Sequence, residues 1–337
     1  MATSSKTMPP IPGEPALLEE TPLHCPMEHV YDFTPAPLSE LEPLVTRLAD
    51  PAPLEKAQTF PRGTLLPDGR LDLCKQSLGL DGCRVVAESV ARCSRITSLL
   101  LGTNAIGDAG AEAVGQLATK NPQLTTLYLG CNRIEATGAA ALATHLQNAP
   151  QVSGLWLKRN ALGPEGVMAL ASLLERNTSL RALDLVTTRM DLVGFNALME
   201  VLTEKNRSVA YLFLDANGLG PAQARRLAAL LAQNDALRWL SLSMNPLGDS
   251  GAALLTEGLQ QNRTLELLDL SSCNIRRSGG MALAEAIQAH PTLKQVRIRK
   301  ARAGRAVGAL PNLMPPWLRQ QVQRDEEHQT ARGRCSP

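Results

Sequence analysis

The chain has 337 residues, a net charge of +2 and only ten aromatic side chains. It contains no apolar run long enough to span a bilayer and no apolar segment of the kind that follows Met1 in a secretory signal, so we expect no membrane span and a cytoplasmic protein. Its seven cysteines form no paired framework, which favours reduced thiols over a disulfide scaffold.

The first segment is rich in Pro, Ser and Thr, and we predict a disordered tail over residues 1–35. Residues 36–64 are predicted to form an N-terminal cap. Within that cap, Pro37 to Leu48 has the pattern of a short amphipathic helix, with Leu41, Leu44, Val45 and Leu48 on one face. Such a helix would cover the open edge of the first repeat, as the ends of repeat proteins require.

Residues 65–309 are predicted to form about nine repeats with a period of 28 residues. The first clear copy reads Ile96-x-x-Leu99-x-Leu101-x-x-Asn104-x-Ile106-Gly107. The position of Asn104 recurs at 132, 160, 188, 217, 245 and 273. Weaker copies lie one period outside, over residues 71–79 and 293–298. A repeat of this length and pattern is typical of a leucine-rich-repeat solenoid.

Each repeat predicts a short strand, a turn and a helix. The alternation of apolar and variable residues around each Leu-x-Leu indicates a strand whose leucines point inward. Asparagine at the recurring position can bond the backbone of the turn, so we expect weaker turns where Gln76, Thr188 and Cys273 replace it. The predicted fold class is therefore α/β, a horseshoe-shaped solenoid with parallel strands on the concave face and helices on the convex face.

Residues 310–337 are predicted to form a C-terminal cap helix and a basic tail. The region from 294 to 337 carries 10 basic and 3 acidic side chains, which is typical of a solvated terminal cap. A site for an anionic partner or a membrane surface is the alternative interpretation. Nucleic acid is not indicated, because no aromatic stacking platform accompanies these charges.

The repeat length, and the segment from Asn104 to Ala113 with its Asn-x-Ile-Gly-Asp-x-Gly-Ala-x-Ala pattern, resemble the ribonuclease-inhibitor-like class of leucine-rich repeats. That class includes the repeat domains of NOD-like receptors and the Ran GTPase-activating protein. The resemblance covers residues 65–305 and implies a horseshoe that binds protein. It does not extend to the acidic, cysteine-rich composition of ribonuclease inhibitor, to a nucleotide-binding loop ahead of the repeats, or to the catalytic arginine of the Ran activator.

The variable positions of the strands are predicted to face the concave surface. Five of the ten aromatic residues occupy such positions: Tyr128, Trp156, Tyr211, Phe213 and Trp239. Charged residues lie beside them: Lys158, Arg159, Asp184, Asp215 and Asp269. Exposed rings are typical anchors of a protein interface, so these ten residues are the predicted partner-binding site. We accordingly expect alanine at Trp156 and Tyr211 to leave the fold intact. The alternative is that the rings pack on one another across neighbouring strands, or under a folded-back N-terminal tail.

No constellation of residues with credible catalytic spacing is present, and we expect a protein without enzymatic activity or cofactor. His24, Cys25 and His29 are possible metal ligands, but no second cluster accompanies them. The predicted function is a monomeric scaffold that binds a protein partner on its concave face. The alternative is a GTPase-activating or ubiquitin-ligase-linked effector, in one variant exported into a host cell without a cleaved signal.

Overall fold

The computed structural model describes residues 33–298, which divide into two compact units. The first unit comprises the described residues up to Leu173 together with Leu185–Met190, and the second comprises Leu174–Asp184 and the residues from Asp191 onward. Most of the predicted disordered tail, the C-terminal cap helix and the basic tail lie outside the described residues. Among the helices between residues 33 and 298, none is both long and apolar enough to cross a bilayer.

The first unit begins with a 3-10 helix, Leu38–Leu41, that runs directly into helix α1, Glu42–Ala49. Its strands are β1 Gln58–Thr59, β2 Thr64–Leu65, β3 Arg70–Asp72, β4 Ser98–Leu100, β5 Thr126–Tyr128 and β6 Gly154–Trp156. The helices that follow the repeat strands are α2 Gly79–Ala91, α3 Gly107–Lys120, α4 Ala136–Leu146 and α5 Gly163–Leu174, whose last residue belongs to the second unit.

The second unit has the same alternation of short strands and helices. Its strands are β7 Ala182–Asp184, β8 Tyr211–Phe213, β9 Trp239–Ser241, β10 Leu267–Asp269 and β11 Gln295–Arg297. Its helices are α6 Leu192–Glu204, α7 Pro221–Gln233, α8 Gly248–Gln261 and α9 Arg277–Ala289.

Strand pairing follows chain order within each unit. β1, β2 and β3 form an antiparallel meander, and β3 to β6 then pair in parallel. In the second unit β7 to β11 pair in parallel, also in order. The central leucine of each repeat strand from β3 to β10 has no exposed surface, as Leu99 and Leu240 illustrate. The predicted α/β leucine-rich-repeat fold is therefore confirmed in each unit.

The asparagines of the turns link each repeat to the next one. Asn132 is completely buried; its Nδ2 donates to the carbonyls of Leu101 at 2.9 Å and Leu129 at 3.0 Å. Its Oδ1 accepts from the backbone N–H of Asn104 at 2.8 Å. One side chain thus bonds both its own repeat and the preceding repeat. The prediction that asparagine satisfies the backbone of the turn is confirmed.

Two of the predicted weak turns have Thr188 and Cys273 in place of asparagine. The Thr188 hydroxyl donates to the carbonyl of Leu185 at 2.9 Å, and the Cys273 thiol donates to the carbonyl of Leu242 at 3.0 Å. A thiol is a weak donor and accepts poorly, so Cys273 cannot replace the strong acceptor that an asparagine amide offers to the neighbouring turn.

A second series of asparagines lies at the ends of the helices. Asn234 donates from Nδ2 to the carbonyls of Leu202 and Asn206 in the preceding repeat, at 2.7 and 3.1 Å. Its Oδ1 accepts from the N–H groups of Ala236 and Leu237. The sequence predicts these asparagines only as helix ends. In the structure they also bond one repeat to the next, on the opposite side of the strand from the turn asparagines.

The predicted N-terminal helix is present and covers the first repeat. Leu41, Leu44 and Leu48 are buried, and Leu41 packs near Gly82 of α2. This contact removes the apolar edge of α2 from water, as a terminal cap must.

We predict that Asn132→Ala destabilises the protein far more than Asn148→Ala. The first change removes three buried hydrogen bonds and leaves the buried N–H of Asn104 without its acceptor, which costs about 1–3 kcal/mol before relaxation. The carbonyls of Leu101 and Leu129 keep hydrogen bonds from the side chains of Asn104 and Asn160. Asn148 is exposed and serves as the matched control. Chemical unfolding of the two variants measures the difference, and equal losses of stability would contradict a structural role for the amide.

Candidate functional site

Two rows of outward-pointing side chains cover the strand face of each unit, one on either side of the buried central leucines. We use strand face for this surface. In the first unit the rows are Arg70, Ser98, Thr126 and Gly154, then Asp72, Leu100, Tyr128 and Trp156. In the second unit they are Ala182, Tyr211, Trp239, Leu267 and Gln295, then Asp184, Phe213, Ser241, Asp269 and Arg297.

The two rings of the first unit lie on the strand face but are buried. Tyr128 and Trp156 are each only 5% exposed. The Tyr128 ring lies against Gly102, with Cε1 2.6 Å from where a Cβ would stand at that glycine. The Trp156 ring folds over Gly154 of its own strand in the same way. The expectation of exposed rings is therefore wrong here, because glycines without side chains let each ring lie against the backbone.

The predicted site includes two basic residues of the first unit, Lys158 and Arg159. The Lys158 ammonium lies 5.4 Å from the centroid of Tyr128, within cation–π range. Arg159 occupies the turn in the left-handed conformation, with φ +57°, and its backbone N–H donates to the carbonyl of Val186 at 2.7 Å. Both side chains are half-buried. Their immediate role is to cover the ring and to build the turn.

In the second unit one ring is buried and two are partly exposed. Trp239 is 5% exposed; its ring packs edge-on against Phe213, with centroids 5.3 Å apart at 61°. On its other side the Arg297 guanidinium carbon lies 6.0 Å from the Trp239 ring. Tyr211 and Phe213 are half-buried and keep part of their surface on the strand face. The expectation of an exposed ring is wrong for Trp239 as well, because its neighbours on both sides cover it.

The three aspartates of the predicted site, Asp184, Asp215 and Asp269, are buried or hydrogen-bonded. Asp269 is buried, and its Oδ2 lies 3.3 Å from Nη1 of Arg297. Asp184 is buried at the end of β7. The Oδ1 atom of Asp215 accepts from the Ser241 hydroxyl at 2.5 Å and from the backbone N–H of Ser243 at 2.6 Å. These carboxylates are therefore built into the surface rather than extended from it.

Asp215 titrates in an unusual range. Burial raises the pKa of its carboxyl to about 7, against the hydrogen bond from Ser241, which lowers the pKa. The nearby charges of Asp269 and Asp184 raise the pKa further. Asp215 therefore changes its charge near neutral pH, whereas an ordinary aspartate is ionised there.

A shallow pocket opens beside Trp239 on the same face. It has a volume of about 80 Å³ and is lined by Tyr211, Arg238, Trp239, Glu266, Leu267, Lys294 and Gln295. Lys294 and Glu266 form an ion pair of 2.7 Å at its rim. The sequence-based site omits Arg238, Glu266 and Lys294, because they precede the strand positions that the repeat pattern marks as outward-facing. Each of these three residues is a charged residue directly before a strand, in three successive repeats. That recurrence is the sequence pattern from which they could have been predicted.

The described residues include two buried thiols, Cys83 and Cys273. Between residues 33 and 298, no cluster of His, Cys, Asp and Glu is arranged to hold a metal ion. Burial raises the pKa of the Cys83 and Cys273 thiols to about 12, so neither supplies a thiolate at neutral pH. The possible ligands His24, Cys25 and His29 lie outside the described residues.

Comparison with known proteins identifies the repeats. A family model described as Leucine Rich repeat matches residues 92–115, 120–143 and 261–284. A solved structure titled Leiomodin-1 Actin-Binding Site 2 aligns over 40% of this chain and 80% of its own, at 19% identity and a TM-score of 0.34. The structure of the Rad7 and Elc1 complex in yeast aligns over 67% and 75%, at 15% identity and a TM-score of 0.35. No curated protein matches the sequence.

We predict that Trp156→Ala costs about 3 kcal/mol of stability or more, because it removes a large buried ring. This replaces the sequence-based expectation that the fold tolerates the change. Tyr211→Ala, at a half-buried position, should cost clearly less. Urea unfolding of both variants compares them directly; similar losses would show that Tyr211 also belongs to the core.

We predict that Asp215→Asn changes how stability depends on pH. The folded pKa of Asp215 lies above its unfolded value, so the folded state holds more protons and stability falls as pH rises between about 4 and 7. The asparagine side chain of the variant cannot titrate. The variant should therefore gain stability relative to wild type on going from pH 5 to pH 8, by roughly 3 °C in melting temperature or more.

Thermal unfolding of both proteins across this pH range measures the effect. Asp191→Asn, at the exposed N-cap of α6, is the control and should not reproduce the trend. Parallel pH curves for wild type and Asp215→Asn would refute the raised pKa.

Proposed function

The chain is a leucine-rich-repeat protein, and on that premise we propose that it is a non-catalytic scaffold that binds a protein partner through the strand face of the second unit. Repeat proteins of this kind present extended surfaces made by successive repeats, and such surfaces suit protein recognition. The proposal rests on two partly exposed rings, Tyr211 and Phe213, beside the buried Trp239. Tyr211 pairs with Trp239 on the neighbouring strand, and Phe213 packs edge-on against it.

The packing around these rings favours use as anchors. The Trp239 ring packs edge-on against Phe213, and this contact restricts the orientation of the Phe213 ring before a partner arrives. A pre-ordered aromatic side chain loses little conformational entropy on binding, which raises affinity. Aromatic anchors of this type contribute about 2 kcal/mol or more when they are central to an interface.

The pocket beside Tyr211 supplies the second element of an interface. Its floor is apolar, from Tyr211, Trp239 and Leu267, and its rim carries Arg238 and the Lys294–Glu266 ion pair. An apolar centre with a charged rim is the arrangement that protein interfaces share. We infer that the partner inserts an apolar side chain here and that the rim sets its orientation.

The other residues of the predicted site are not assigned direct contacts with the partner in this proposal. Tyr128, Trp156, Lys158 and Arg159 belong to the first unit, where their rings and stems are largely covered; a direct role in binding stays a prediction. Asp184, Asp215 and Asp269 shape the electrostatic field around the second unit's rings. We further propose a cytoplasmic monomer, with export as an effector as the alternative.

We predict that Tyr211→Ala and Phe213→Ala weaken capture of the partner roughly 30-fold or more, which corresponds to about 2 kcal/mol. Met281→Ala is the matched control, since Met281 is an exposed apolar residue on helix α9. The partner is first isolated by pull-down with the wild-type chain, and its affinity is then measured by calorimetry for each variant.

Each variant is also checked for unchanged folding by circular dichroism. Equal weakening by Met281→Ala would place the interface on the helices instead. Stimulated GTP hydrolysis by a small GTPase partner would reject a purely non-catalytic role and favour the effector alternative.

A further inference from the structure

Arg70 is a buried cation with two side-chain nitrogens that have no hydrogen-bond partner in the described part of the chain. It opens strand β3 in the first unit and is 7% exposed. Its Nε and Nη1 atoms are buried, and neither has a hydrogen-bond partner among the residues that the structure describes. Burying a guanidinium without compensation is strongly unfavourable, and unsatisfied buried donors are rare in folded proteins. The position therefore calls for an acceptor that the described chain does not provide.

The nearest aspartates in the sequence have other roles. Asp68 Oδ1 accepts from the backbone N–H of Arg70 at 3.1 Å, and Asp72 Oδ1 accepts from the backbone N–H of Cys74 at 3.1 Å. Each carboxylate thus orders the backbone around β3. Neither provides a hydrogen bond to the buried guanidinium nitrogens.

Two hydroxyl groups extend the row from Arg70 across the sheet. Arg70 pairs in register with Ser98, and Ser98 pairs with Thr126, so the three positions lie about 4.8 Å apart on successive strands. Gly154 follows in the same row beneath the Trp156 ring, which closes that end. The row therefore combines one cation, two hydroxyl donors and an aromatic boundary on the strand face of the first unit.

We propose that Arg70, Ser98 and Thr126 form a binding site for a single carboxylate group. A carboxylate carries one negative charge and neutralises the one guanidinium, whereas a phosphate dianion would leave excess charge in a partly buried place. Planar carboxylates also match the planar arrangement of guanidinium donors. The long arginine stem allows the charged head to turn towards an incoming group without movement of the backbone.

This inference deepens the proposed function and rests on it in one respect: the carboxylate belongs to the protein partner, as an acidic side chain or a chain terminus. The two proposals concern different units and are tested apart. Free acetate tests the carboxylate site without any partner, while the Tyr211 and Phe213 variants test partner capture without acetate.

The experiment compares thermal unfolding of the full chain in sodium acetate, sodium phosphate and sodium chloride at equal ionic strength. We expect acetate to raise the melting temperature of wild type by roughly 3 °C or more over chloride, because a ligand that binds only the folded state stabilises it. Phosphate should raise it less. Arg84→Met, which removes an exposed arginine of α2, is the control and should keep the acetate response.

Arg70→Met should lose the acetate response. In chloride it should melt at or above the wild-type temperature, because an apolar side chain of similar size replaces an unpartnered buried charge. Lower stability in chloride would show that Arg70 serves the fold and would overturn the proposal. So would an acetate response that persists in Arg70→Met, equal effects of acetate and chloride on wild type, or a stronger response to phosphate.

A second variant keeps the test decisive if Arg70→Met does not fold. Ser98→Ala combined with Thr126→Val removes both hydroxyls and retains the guanidinium. Its acetate response should fall to less than half of the wild-type shift. An undiminished response would exclude the two hydroxyls from the site and overturn the proposal in its stated form.

Discussion

The buried amide of the turn asparagine is the interaction on which the rest of the structure depends. Each repeat strand has only three residues and gains little stability alone. Side chains such as Asn132 bond the carbonyls of two successive repeats and the N–H of the preceding turn. A second series, represented by Asn234 at a helix end, donates to carbonyls of the preceding repeat and accepts from N–H groups of its own repeat. Because both series use side chains buried between repeats, the backbone register of neighbouring repeats is held independently of the outward-facing residues.

That independence allows the strand faces of the two units to differ. In the first unit, glycines leave space for Tyr128 and Trp156 to lie against the backbone, and the surface is left with a row of polar groups headed by Arg70. In the second unit, Trp239 supports Phe213, and a pocket with a charged rim opens beside Tyr211. The same backbone thus carries a row of one cation and two hydroxyl groups in the first unit and aromatic anchors in the second.

The sequence predicted correctly the residue roles that recur in each repeat. It did not predict the exposure of rings that depends on a single neighbouring side chain. The period predicted the strands, the inward leucines and the bonding role of the asparagines. It also placed the five rings on outward strand positions correctly. It was wrong about the exposure of Tyr128, Trp156 and Trp239, each 5% exposed. The residues that contact these rings, such as Gly102 and Arg297, are not part of the 28-residue consensus. The periodic pattern therefore does not predict their contacts.

By itself, the sequence determined the leucine-rich-repeat fold, because a 28-residue period with inward leucines and a bonded asparagine has one efficient way to bury its apolar side chains. Only the tertiary structure decided which outward residues reach a partner. Exposure depends on the side chains of adjacent strands, which lie a full period apart in the sequence and meet only when the repeats stack. The same stacking raised the pKa of Asp215 to about 7, and it left the Nε and Nη1 atoms of Arg70 without an acceptor among residues 33–298. Neither consequence is visible in the residues taken one at a time.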